Sequence, residues 1–109
     1  MIDYIEIDSD DIVYCPILHD GRLKKINILS LSKIIYVCEE CELIWESVDN
    51  IVLNKPNDIS TVKEYIRSIG ITMPPFIKAE EWGKYIEHKG YLRLKDLECF
   101  LKDKKIIKI

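Results

Sequence analysis

Glutamine is absent from this 109-residue chain and alanine occurs once, at Ala79, whereas isoleucine occurs 20 times. That skew, joined to abundant lysine, marks an AT-rich genome rather than an activity. Four glycines and four prolines are too few for a collagen-like or low-complexity chain. The longest strictly apolar run, residues 34–38, is five residues, against the roughly 20 that a transmembrane helix needs. No Gly-rich phosphate loop, His-Glu-x-x-His pair or serine in a nucleophile elbow is present. The motif-bearing routes to phosphoryl transfer, zinc proteolysis and ester hydrolysis are therefore missing. Residues 8–11, Asp-Ser-Asp-Asp, start like a calcium loop but lack its glycine and its distal glutamate.

What is there is a globular balance, 48% hydrophobic and 32% charged, in a chain the length of one domain. The first residues are acidic where an export signal would be basic and then apolar. Four cysteines are too few for a disulfide-dense scaffold, and two of them stand as Cys38-x-x-Cys41. Together these features place the expected compartment in the cytoplasm. The net charge of −3 is unevenly spread. Residues 1–50 carry four bases against eleven acids, a charge of −7, and residues 51–109 carry twelve bases against eight acids, a charge of +4. An acidic half disfavours nucleic acid, whose binding rests on neutralising phosphates. The lysines of the second half are interleaved with acids, the pattern of a solvated face.

The periodicities predict an α+β fold in one domain, 1–109, with a β-rich half over 1–54 and a helical half over 55–109. Strands are expected at residues 2–7, 12–14, 23–29, 32–37, 42–48 and 51–53, where β-branched residues gather between turn signals. Two or three helices are expected afterwards. The first starts at Asp58 or Ser60, carries Ile59, Val62, Tyr65, Ile66 and Ile69 at helical spacing, and stops at Gly70. The second runs over 78–89 with Trp82, Tyr85 and Ile86 on one stripe, leaving His88 at its end, where an imidazole suits the helix dipole. The third covers 94–101 with Leu94, Leu97, Phe100 and Leu101 inward and Cys99 as a buried thiol. Residues 106–109 read as a closing strand or a tail.

The chemistry concentrates in the cysteines. Tyr14-Cys15-Pro16-Ile17-Leu18-His19 and Tyr36-Val37-Cys38-Glu39-Glu40-Cys41 are two similar turns, each with an aromatic residue just before a cysteine. A tetrahedral zinc site needs four soft or borderline ligands, and Cys15, His19, Cys38 and Cys41 would supply them. With a hairpin between the two turns, residues 12–48 resemble a zinc ribbon. The first turn departs from that pattern, since Leu18 stands where a second cysteine belongs. Three readings are compatible with these residues. One is a structural zinc ion; another is a metal-free ribbon-like unit with Leu18 inward and His19 exposed; the third is a redox Cys38-x-x-Cys41 pair. The redox reading suffers from Glu39, Glu40 and Glu42, whose charge raises thiol pKa values and depresses reactivity.

The acids themselves invite a binding role. Asp8, Asp10 and Asp11 crowd one segment, and Glu39, Glu40, Glu42 and Glu46 crowd the second turn. Such a patch would steer a basic protein partner. Trp45 and Trp82 are core candidates that could equally anchor an interface. A small, acidic, Ile- and Lys-rich chain with Tyr36, Cys38, Cys41 and Trp45 in a Tyr-x-Cys-x-x-Cys-x-x-x-Trp pattern resembles the immunity proteins of bacterial polymorphic-toxin and contact-dependent inhibition systems. The resemblance implies a cytoplasmic, non-enzymatic inhibitor. It would bind one cognate toxin domain, often a basic nuclease, and cover its active site. It carries over no individual residue. The alternative is a zinc-ribbon adaptor or nucleic-acid-associated protein that makes contact through its basic second half.

Overall fold

The β-branched runs at 23–28 and 33–38 do pair, and that hairpin is the centre of the molecule. In the computed structural model, which describes residues 4–53, 55–59, 61–98 and 105–109, β1 spans Tyr4–Ile7, β2 Leu23–Ile28, β3 Lys33–Cys38 and β4 Ile44–Trp45. Helices α1 (Val48–Val52) and α2 (Val62–Ser68) follow, then a 3-10 helix (Ala79–Lys84), β5 (Ile86–Tyr91), α3 (Leu94–Leu97) and β6 (Lys105–Lys108). One antiparallel sheet has the order β4-β3-β2-β5, and β1 and β6 form a separate parallel pair. The fold is α+β, with six strands and a few short helices among the described residues. Among the described residues no helix is long and apolar enough to cross a membrane.

Side chains alternate across a strand, and the larger sheet buries both of its faces. On one face Ile26, Ile28, Ile35, Val37, Ile44 and Ile86 meet Tyr65 and Ile66 of α2 together with Met73. On the other, Leu23, Cys38 and Trp45 meet Ile5, Ile7, Val13 and Cys15 from the N-terminal segment, Ile51 of α1, Leu97 of α3 and Leu92 from the link before α3. Each fully buried aliphatic side chain contributes about 1.5–3 kcal/mol, so the two faces are comparable cores.

Several elements differ from the sequence expectation. Residues 51–53 are not a strand, because Ser47 caps a helix there by accepting from the Asn50 N–H at 3.3 Å. Helix α2 is capped by Thr61, which accepts from Glu64 N–H at 3.1 Å, rather than by Asp58; Ser60 lies outside the described residues. The stripe of Trp82, Tyr85 and Ile86 does not become a long helix. Only a 3-10 turn forms, and Ile86 instead pairs with Ile28 on the edge of β2, so His88 is an exposed strand residue rather than a helix cap. The half 55–109 is therefore not purely helical. Because β5 is hydrogen-bonded into the sheet of β2 and β3, residues 1–54 do not stand apart as a ribbon-like unit. Helix α3 begins where the leucine spacing predicts, with Leu97 buried and Leu94 half-buried, while Cys99, Phe100 and Leu101 lie outside the described residues. The closing strand is present as β6, with Tyr4 beside Lys105 and Ile7 beside Lys108.

The large sheet is fastened to α2 by one carboxylate. Glu46 accepts from Lys33 Nζ at 2.9 Å, Tyr65 Oη at 2.8 Å and Asn57 Nδ2 at 2.8 Å. The Lys33 ammonium, then the Tyr65 hydroxyl, hold the Glu46 carboxyl below the usual range against the opposing effect of burial. A carboxyl depressed in the folded state stabilises above its unfolded pKa, and that contribution disappears as pH falls through the folded value. The urea midpoint should accordingly drop as pH is lowered below about 4, and the drop should be shallower in Glu46→Gln than in the natural chain.

Candidate metal centre

Two turns of the same geometry lie at one end of the β2–β3 hairpin. In the first, His19 N–H donates to Cys15 C=O at 3.1 Å, and in the second, Glu42 N–H donates to Cys38 C=O at 3.1 Å. The residue that closes each turn takes a left-handed backbone conformation, His19 at φ 55° and Glu42 at φ 60°. Leu18 is thus the counterpart of Cys41, one residue before the closing position. Pairing of Leu23 with Cys38, and of Tyr14 with Arg22, brings the turns together. Their approach depends on Gly21. A Cβ there would stand 2.6 Å from Glu40 Cγ and 3.0 Å from Glu39 Cγ, so any larger residue would have to displace these two side chains.

Where the turns meet, the sulfurs of Cys15, Cys38 and Cys41 and a carboxylate oxygen of Asp20 all lie within 4.8 Å of one another. Cys15 Sγ is 3.8 Å from Cys41 Sγ, Cys38 Sγ donates to Asp20 Oδ1 at 3.3 Å, and Cys41 N–H donates to Cys38 Sγ at 3.5 Å. Thiolates held about 2.3 Å from a tetrahedral ion stand about 3.8 Å apart, which matches the spacing of Cys15 and Cys41. Cys15 and Cys38 are buried, Cys41 is half-buried and Asp20 is exposed. The cluster is therefore sealed on its sulfur side and open on its carboxylate side. Burial pushes the Cys38 thiol well above its ordinary range and raises Cys41 as well, and the neighbouring Cys15 adds to both. Raised thiols are poor nucleophiles, whereas a bound divalent cation would deprotonate them outright. These four residues lie close enough to bind a metal ion.

Of the four ligands expected from the sequence, the structure brings Cys15, Cys38 and Cys41 together. His19 is not brought to the sulfurs. Its Nδ1 lies 2.9 Å from Glu6 Oε1, a close contact not aligned as a hydrogen bond, and its ring stacks on Tyr4 with centroids 5.6 Å apart. The next residue, Asp20, supplies the fourth donor instead. No spacing rule separates adjacent His and Asp; in the structure His19 turns to Glu6 and Tyr4 and Asp20 to Cys38. Nor do Leu18 and His19 take the places that a metal-free ribbon would require. Leu18 is 59% exposed and His19 is half-buried.

The acidic residues divide into two groups. Asp8 Oδ1 accepts from Asp10 N–H at 2.8 Å and Ile12 N–H at 3.0 Å, and its Oδ2 is 4.0 Å from Arg22. Glu39 accepts from Arg22 Nε at 3.0 Å, Arg22 N–H at 2.9 Å and Tyr91 Oη at 2.9 Å. Burial pulls the Glu39 carboxyl upward, but Arg22 and Tyr91 outweigh it and hold it below the usual range. Arg22 also lies 4.3 Å above the Tyr91 ring. Asp8, Glu39 and Glu46 are thus engaged inside the fold. Asp10, Asp11, Glu40 and Glu42 are exposed, and of these Asp11 has Lys108 at 3.7 Å.

Gly21→Ala should cost about 1–3 kcal/mol, the range for forcing a group into a packed site, because Glu40 and Glu39 must give way; chemical denaturation of the two proteins measures it. Compared with known proteins, the chain matches no protein-family model, no curated protein and no solved structure.

Proposed function

We propose that the protein is a non-enzymatic binding protein. One structural zinc ion, held by Cys15, Asp20, Cys38 and Cys41, locks its two turns, and the acidic surface around them docks a basic protein. In this reading it works as an immunity protein that covers the active site of a cognate toxin domain, such as a nuclease. The observation that carries the reading is the meeting of the three sulfurs and the Asp20 carboxylate at the turn that also bears the exposed Glu40 and Glu42. Three thiolates and a carboxylate suit zinc among divalent ions. Four protein ligands leave no open position for a substrate, which makes the ion a fastener. Acids on a fastened, preorganised turn speed encounter with a basic partner and discriminate against wrong ones.

The metal is tested on untagged protein by elemental analysis. About one zinc per chain is expected, lost in Cys38→Ser and retained in His19→Ala. Asp20→Asn should weaken zinc by more than the roughly 10–100-fold typical of removing an outer-shell partner. A folded, zinc-free natural protein would overturn this part.

The binding role is tested by isolating the partner from source cells and expressing it alone and together with this chain. A basic partner that arrests growth alone and is neutralised by this chain is expected. Rescue should weaken when Asp10, Glu40 and Glu42 are changed to lysine. Salt-dependent RNA or DNA binding without a protein partner would instead favour the adaptor reading.

A further inference from the structure

The first turn carries one cysteine where the second carries two. Leu18 stands at the position that corresponds to Cys41 and is exposed, so the first turn holds no thiol pair of its own. The three sulfurs are also unequally engaged. Cys38 Sγ is held on two sides, donating to Asp20 Oδ1 at 3.3 Å and accepting from the Cys41 N–H at 3.5 Å. Cys15 Sγ and Cys41 Sγ instead meet each other across the two turns at 3.8 Å. Strand pairing fixes the turns that carry them, Leu23 beside Cys38 and Tyr14 beside Arg22, so this contact is built into the fold. Access differs as well. Cys15 is fully buried, whereas Cys41 is half-buried and is the sulfur of this pair that a small solute can reach. A reachable cysteine beside a second, resolving cysteine is the arrangement that oxidises reversibly to a disulfide.

We propose that Cys15 and Cys41 form a reversible oxidation site, closing to a disulfide across the two turns when the chain meets hydrogen peroxide. The Cys41 sulfur attacks one peroxide oxygen, the O–O bond breaks, and Cys41 becomes a sulfenic acid as one water leaves. The Cys15 sulfur then attacks the Cys41 sulfur, the S–S bond forms, and the sulfenic oxygen leaves as a second water. The sulfur pair gives up two electrons and the peroxide takes them. Where the sulfurs start as thiolates on a metal ion, solvent supplies the two protons. Burial raises the Cys41 thiol, so the metal-free pair reacts slowly and calls for excess peroxide. A thiol reductant reverses the bond by exchange. The consequence for the metal rests on the zinc reading above. Closure takes two of the four donors, and Cys38 with Asp20 is too small a set for tetrahedral zinc. The ion leaves while the disulfide holds the turns, so one fastener replaces the other.

The test treats the reduced, untagged full chain with excess hydrogen peroxide and alkylates the thiols that remain. Digestion without reductant, by trypsin and a glutamyl endopeptidase, separates Cys38 from Cys41 by cutting after Glu39 and Glu40. Mass spectrometry should find the Cys15 peptide joined to the Cys41 peptide, Cys38 alkylated, and the link lost after dithiothreitol. Circular dichroism of the oxidised chain should match that of the reduced one. In the same samples a chromophoric chelator reads zinc, and about one ion released per disulfide formed is expected. A folded chain that arrives without zinc defeats the metal reading alone, because the peptide map still decides the oxidation site. No link, a link through Cys38 or Cys99, or zinc retained after the link has formed would each overturn the proposal.

Discussion

The pairing of β2 with β3, from Leu23 beside Cys38 to Ile28 beside Lys33, sets both cores and the cysteine cluster together. A slip of one residue would turn every side chain of a strand to the opposite face. Ile26, Ile28, Ile35 and Val37 would leave α2, and Leu23 and Cys38 would leave the N-terminal segment. The same register carries Cys38 to within reach of Asp20 and presents the second turn to Gly21. Burial on both faces makes such a slip costly, so the geometry at the turns inherits its definition from the hydrophobic effect rather than from the polar groups themselves.

Around those turns, charge is arranged in layers. Arg22 sits among Asp8, Glu39 and Tyr91 and absorbs the acids nearest to it. Asp20 faces the sulfurs, and Glu40 and Glu42 are left outside. The inner acids thereby serve the fold, while the outer ones set the surface potential. The thiols of the second turn follow a similar logic. Burial resists ionisation of Cys38 and Cys41, which quiets them as nucleophiles yet leaves them suited to a cation that brings its own compensating charge.

Where the chain could be read without coordinates, one local signal had no rival. The β-branched runs of β2 and β3, the helical spacing of Val62, Tyr65 and Ile66, and the cysteine turns all combine composition with a single period. Elsewhere two local signals competed. Ile51 and Val52 favour a strand by composition, but Ser47 offers a cap that a helix can use. Trp82, Tyr85 and Ile86 obey helical spacing, yet the open edge of β2 supplies hydrogen bonds that a lone amphipathic turn interrupted by Gly83 cannot match.

The amino-acid sequence by itself determined the α+β class, the hairpin, the three cysteines of the cluster and the concentration of acid in the first half, because each depends on residue type and short-range period. Tertiary structure alone decided that Asp20 rather than His19 faces the sulfurs, that β5 completes the sheet, and that Asp8, Glu39 and Glu46 are spent internally while Glu40 and Glu42 remain outside. Those outcomes depend on which groups meet across long stretches of chain, which local spacing does not encode.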